Sequence, residues 1–306
     1  ADTLLAQQSD TAAVLPAIAG TGGIGKTQLA SEFAHRYRDA FPGGVFWLNM
    51  EQPEGVAAQV AAAGGPGGLE LPGWAAMEYE GKIAAVRQAW QGPERRLLVF
   101  DNLEEPKLLQ EWRPTGGGTR VLITTRRGVW TATSGVQAVQ LQTLARPESV
   151  RLLLAPRHGA EVEAVLATEA MAREADAICE QVGDLPLALA LAGAYLEAAP
   201  SLSLAGYRAR LAEQLLAHPS LQTELDEGLP TRHAESVEAT IALSYQRLDA
   251  SADRRALTLL HRTAHLAPAP LPHRLLAHLA ECDPDDDDQV VELDGLLRRL
   301  AAAGLI

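Results

Sequence analysis

The chain has little lysine: of its 26 basic residues in 306, only Lys26, Lys82 and Lys107 are lysine and the other 23 are arginine. It has two cysteines, Cys179 and Cys282, too far apart in sequence to form a framework, so a reducing compartment is expected. No apolar run reaches the length of a membrane span, and the N-terminal residues lack a charged flank and an apolar h-region. A cytoplasmic chain with no membrane partner is expected. The net charge of −13, with no basic stripe, argues against nucleic acid as the main partner. No Ser-His-Asp grouping has motif support, and no Asn-Lys-x-Asp run points to guanine. A chain of this length is expected to hold two or three compact units.

One of the rare lysines lies in a dense motif. Residues 20–27 read GTGGIGKT, which satisfies G-x-x-x-x-G-K-[ST]. An apolar strand candidate ending at Ala19 precedes it, and a helical apolar pattern from Gln28 to Tyr37 follows. Strand, glycine turn and helix N-terminus bring backbone N–H groups together on phosphate oxygens. Gly22, Gly23, Ile24, Gly25, Lys26, Thr27 and Gln28 are therefore the candidate phosphate contacts. Lys26 would reach the outer phosphates, and the Thr27 hydroxyl would join a magnesium ion. An arginine-rich chain that writes lysine here selects a narrow ammonium over a guanidinium fork. Gly20, Gly22 and Gly25 also satisfy G-x-G-x-x-G, but the dinucleotide fold has no use for the Lys-Thr pair. Its acidic residue is also missing, since the second strand ends in Asn49.

The first 145 residues alternate strand and helix patterns. Strands are expected at 14–19, 44–50 (a buried one), 96–101, 119–125 and 138–144, in a parallel sheet covered on both faces. The glycine run 64–68 reads as a surface loop. From Pro147 helices are expected at 148–155, 162–182, 185–198 and 204–218, separated by breaks such as 156–159. A polar stretch, 222–231, leads to helices near 234–247, 252–266, 271–281 and 290–303. The expected class is α/β: a P-loop parallel sheet sandwiched by helices over 1–145, an all-helical domain over 146–222, and a winged-helix domain over 223–306, truncated at its C-terminus because no β-hairpin follows the last helix.

Asp101 ends the apolar run Leu97–Phe100, the position from which a carboxylate would hold magnesium through its water shell opposite Thr27. Asn102 follows where related ATPases carry a second acid. An amide cannot accept a proton, so slow turnover is expected. Glu104 and Glu105 read as loop acids. Arg126 stands at the carboxyl end of a strand, where it could pair with a γ-phosphate, with Arg127 as the alternative. Pro186 is a natural first-turn residue of a helix. His261 and His265 have i,i+4 spacing but no third ligand, and the acidic run 283–288 lacks the glycine and terminal Glu of a calcium loop.

Taken together, GTGGIGKT with Gln28-Leu-Ala, Val45–Asn49, Leu97–Asn102, Leu122–Arg126 and Asp184–Leu189 resemble, in order and spacing, the NB-ARC domains of STAND-class signal-transduction ATPases. The resemblance covers nearly the whole chain. It implies a nucleotide-binding domain, a helical domain and a winged helix, closed around ADP and opened around ATP, with self-association as the output. By family pattern Arg126 looks like sensor 1, and Pro186 looks like the residue lying against adenine. An ATPase switch using ADP or ATP with Mg²⁺ is therefore expected. The alternatives are an ADP-locked module without catalysis and a P-loop kinase or ATPase acting on a small molecule.

Overall fold

The computed structural model describes residues 15–216, 232–266, 271–303 and 305. The expected polar linker 222–231 and the first 14 residues lie outside them. The chain forms two compact units, Ala1–Gln142 and Thr143–Ile306.

The first unit is built on five strands: β1 (Leu15–Ala19), β2 (Val45–Asn49), β3 (Leu97–Asp101), β4 (Arg120–Thr125) and β5 (Val136–Gln140). Their order is β2-β3-β4-β1-β5, and every pairing is parallel. The interior strands β3 and β4 carry continuous apolar runs because both of their faces are covered. Leu98 and Phe100 of β3 point to a core shared with α2 (Pro53–Ala62), α3 (Tyr79–Trp90) and α4 (Pro106–Trp112). Leu97 and Val99 point the other way, to Ala30 and Phe33 of α1 (Lys26–Arg36) and to Phe41. Alternation along one strand thus fastens helices to both sides of the sheet.

The edges depart from the sequence reading. β2, expected to be buried, lies at the end of the sheet and leaves Trp47 38% exposed. β5 runs over Val136–Gln140 rather than 138–144. Its register against β1 ends at Gln140, and Leu141 N–H donates the last bond to the Ala19 carbonyl at 2.7 Å. Val139 and Leu141 keep a strand's alternation, but residues 141–144 lead instead into the next helix. Within the glycine run read as a surface loop, Gly64 and Gly65 are buried. A Cβ at Gly64 would fall 2.3 Å from the Trp74 ring.

The second unit is helical throughout its described residues: α5 (Arg146–His158), α6 (Val162–Leu166), α7 (Glu169–Gln181), α8 (Pro186–Ala198), α9 (Leu204–Leu216), α10 (Arg232–Tyr245), α11 (Arg254–Ala264), α12 (His273–Leu279) and α13 (Asp287–Ala302). Pro156, expected to break α5, lies inside it. The helix runs two residues further, to His158, and Gly159 (φ 53°) closes it, so the missing Pro156 N–H costs one bond, to the Leu152 carbonyl, in the last turn. The helix expected over 162–182 is split between Leu166 and Glu169. Helix α8 crosses α5 closely: a Cβ at Gly193 would fall 2.9 Å from the Leu153 carbonyl oxygen. Helix α10 packs on α8 and α9, and Arg247 just beyond it donates to the Ala198 carbonyl at 2.7 Å. Helices α11 to α13 gather around a separate cluster that includes Leu248, Leu259, Ala277, Leu293 and Leu300. No helix among the described residues is long and apolar enough to cross a membrane.

Candidate functional site

The phosphate loop joins the end of β1 to the start of α1. Gly25 caps α1 with φ 94°, and Gly23 has φ 73°. Nothing lies within 4 Å of a Cβ built on Gly25, so glycine is required there for its left-handed backbone rather than for space. Ile24 is 5% exposed and anchors the loop in the core, while Gly22, Thr27 and Gln28 are exposed.

Lys26 is the first residue of α1, and its side chain is buried. Its ammonium turns back over the loop and donates to the carbonyls of Gly20 at 3.0 Å and Thr21 at 2.8 Å. Burial pushes its pKa below the ordinary lysine value, and the Arg126 guanidinium pushes the same way. The carboxylates of Glu104 and Asp101 oppose both.

The acid at the end of β3 meets the loop. Thr27 Oγ1 donates to Asp101 Oδ1 at 2.9 Å, joining residues 74 positions apart. The buried Thr124 hydroxyl of β4 donates to the same oxygen. Thr124 Oγ1 in turn accepts the N–H of Asn102 at 3.0 Å. Asn102 adopts φ 58°, a left-handed conformation that asparagine tolerates, and its N–H serves the turn. A carboxylate and a hydroxyl are the hard oxygen donors that magnesium takes, completed by phosphates and water rather than by an all-protein cage. No group of three or more His, Cys, Asp or Glu suited to a metal occurs among the described residues.

Because β4 lies between β1 and β3, its carboxyl end stands between the loop and Asp101. Arg126 follows that end and is exposed, as is Arg127. Arg126 N–H donates to Glu104 Oε1 at 2.6 Å, and Thr125 Oγ1 donates to Glu104 Oε2 at 3.3 Å. Arg127 N–H turns back to Thr125 Oγ1 at 3.0 Å, and its guanidinium lies 5.7 Å from the Trp130 ring centre. Sequence reasoning passed over Thr124 and treated Glu104 as a loop acid. The available signal was the polar pair Thr124-Thr125 closing an apolar strand.

Pro186 belongs to the second unit, at the first turn of α8. The turn before it holds Asp184 at φ 55°. Arg146 grips that carboxylate with two bonds, both 2.9 Å, and reaches Asp176 Oδ1 at 3.0 Å. Cys179 and Cys282 are both buried free thiols. Burial and then the Asp184 charge push the Cys179 thiol up to about 12, so it stays protonated and inert. His261 pairs with the Tyr245 hydroxyl at 2.9 Å, and in the acidic run Asp286 caps α13 by accepting from the N–H groups of Asp288 and Gln289.

Comparison with known proteins gives both sequence relatives and structural neighbours. Regulatory protein AfsR of Streptomyces coelicolor is 28% identical over 273 residues, covering 85% of this chain and 25% of that protein. Regulatory protein AfsR of Streptomyces griseus is 28% identical over 315 residues, covering 98% of this chain and 29% of that one. The chain thus spans only about a quarter of the length of these relatives. A solved signal transduction ATPase with numerous domains, a STAND protein with a tetratricopeptide repeat sensor from Pyrococcus horikoshii, matches 92% of this chain and 36% of its own at 17% identity and a TM-score of 0.44. No family model matches the chain.

Proposed function

Taking a STAND-class, P-loop ATPase-like domain as the premise, we propose that the chain is a nucleotide-dependent switch that binds ADP or ATP with Mg²⁺ and hydrolyses ATP slowly. The observation that carries the reading is the direct bond from Thr27 Oγ1 to Asp101 Oδ1 beside the buried Lys26 ammonium. It joins the loop, the helix N-terminus and the acid of β3, the groups that a polyphosphate and its cation require at one place.

In this reading Gly22, Gly23, Ile24, Gly25, Lys26, Thr27 and Gln28 line the phosphates. Lys26 exchanges its two loop carbonyls for phosphate oxygens. Thr27 and Asp101 would hold the cation, which would supply neutralisation of the charge on the phosphoryl group. Arg126 offers a cation to the terminal phosphate, and Pro186 lies against the base, as the family resemblance implies. Asn102 supplies no proton acceptor, which keeps turnover slow. The second unit divides at about residue 222 into a helical and a winged-helix domain, and the nucleotide state biases their arrangement and the chain's self-association. Two regulatory proteins among the relatives fit such a switch.

The test is the identity of the nucleotide released when the purified protein is denatured. ADP or ATP, with measurable slow hydrolysis, is the expected result. ADP that resists exchange in a chain without turnover would favour a locked structural module. A guanine nucleotide, or none at millimolar supply, would overturn the reading.

A further inference from the structure

The carboxyl end of β4 presents donors on the side of the sheet where the phosphate loop and Asp101 meet. One is the Arg126 backbone N–H, which the strand's end leaves without a sheet partner; another is the Thr125 hydroxyl. Both are taken by one side chain, since Glu104 accepts from Arg126 N–H at 2.6 Å and from Thr125 Oγ1 at 3.3 Å. Glu104 comes from the turn after β3, 21 to 22 positions away in sequence, so its placement is a property of the sheet and not of a local turn. The Leu103 N–H bond to the Thr124 carbonyl, 2.9 Å, fixes the neighbouring residue of that turn against β4. An exposed carboxylate is thereby held at the end of the strand that separates Lys26 from Asp101.

We propose that Glu104 determines nucleotide specificity: as an anion built into the mouth of the site, it disfavours a triphosphate relative to a diphosphate. The proposal rests on the nucleotide-binding reading given above. Lys26, Arg126 and the strand-end N–H are the positive groups of this end; Glu104 bonds the strand-end N–H, and its charge is felt at Lys26. A diphosphate needs the loop amides and Lys26. A third phosphate adds negative charge toward the end of β4, where it finds the strand-end N–H already taken by Glu104 and meets like-charge repulsion. Such a group raises the occupancy of the diphosphate state without touching the loop itself.

The test titrates ADP and a non-hydrolysable ATP analogue, each with Mg²⁺, into the full chain and two variants. Glu104→Gln keeps an acceptor for Arg126 N–H and removes the charge; Glu104→Ala removes both, and thermal melts check that each variant folds. The ratio of triphosphate to diphosphate affinity is expected to rise about two- to fivefold in Glu104→Gln, the scale of an exposed, screened charge interaction. Three results overturn the proposal: an unchanged ratio, equal falls in both affinities, which would make Glu104 a brace for the β4 end, and loss of ATP turnover at constant ratio, which would make it a water-activating acid. Failure of the wild-type chain to bind either nucleotide would instead remove the underlying reading, and this one with it.

Discussion

The two units treat charge in opposite ways. In the second, a groove of about 580 Å³ is lined by Arg146, Arg151 and Arg173 together with Glu163, Glu169 and Asp176. Each arginine there already has a carboxylate: Arg146 with Asp176 and Asp184, Arg151 with Glu163, Arg173 with Glu169. In the first unit Lys26 is buried, its ammonium satisfied only by two neutral carbonyls, and its pKa is depressed by that burial. A buried cation without an anion within bonding reach raises the free energy of the folded chain, and an arriving polyphosphate would lower it. A cavity rimmed by charges that are already paired offers a ligand much less. The contrast favours the phosphate loop over the groove as the place for an anionic ligand.

Breaking the comparison at its centre should have the largest effect. Lys26→Ala is expected to weaken ADP binding by about 100-fold or more, because it removes a desolvated charge-assisted contact. Isothermal titration that returned the wild-type affinity would remove the contrast altogether. Asp101→Asn keeps a side chain that can accept from Thr27 and Thr124, and so spares the fold by circular dichroism. It should cut the Mg²⁺-dependent part of ATP affinity and the turnover by about 10- to 100-fold. Equal losses with and without Mg²⁺ would assign Asp101 a structural role instead.

How much of this was readable beforehand follows from the range of the interactions. The loop, Lys26, Thr27 and Asp101 stand in motifs a few residues long, where backbone requirements and neighbouring apolar runs constrain the residues directly. The Leu97–Phe100 run and the helix start at Pro186 are local in the same sense. Strand order is not local, so nothing in the sequence said that β4 would separate β1 from β3. Thr124 and Glu104 bond partners more than 20 positions away, and each residue alone looks unremarkable. The edge strands failed for a related reason. The register of β5 is set by its pairing with β1, and the exposure of Trp47 by the position of β2 at the end of the sheet. Pro156 misled because a proline in a last turn gives up only its own bond to the i−4 carbonyl, and the helix continues just two residues beyond it.

A smaller effect separates the buried cation from ordinary lysines. The free chain holds Lys26 below the usual value of 10.5, whereas a bound polyphosphate would raise it. Between those two values binding takes up a proton, so ADP affinity should fall as pH rises, starting below pH 10.5. The stability of the nucleotide-free chain should move the other way. Over the window from the depressed folded value up to 10.5 the unfolded chain binds more protons, so stability rises with pH. Measuring both trends against Lys26→Ala isolates this one group; parallel slopes in variant and wild type would show that another residue titrates.

The paired charges of the second unit should respond least, and unequally. Arg146→Met strands Asp184 in its left-handed turn and Asp176 beside it. With the guanidinium about one-third exposed, screening leaves a loss of about 1 kcal/mol. Arg151 differs in kind, since it and Glu163 are both more than half exposed and meet through one bond of 2.8 Å. Solvent screening and side-chain entropy offset such a pair, so Arg151→Ala should leave Tm within error and ADP affinity untouched. A clear loss of nucleotide affinity on removing Arg151 would mean that its pairing with Glu163 is broken in the functioning protein. The groove would then have to be counted with the phosphate loop rather than against it.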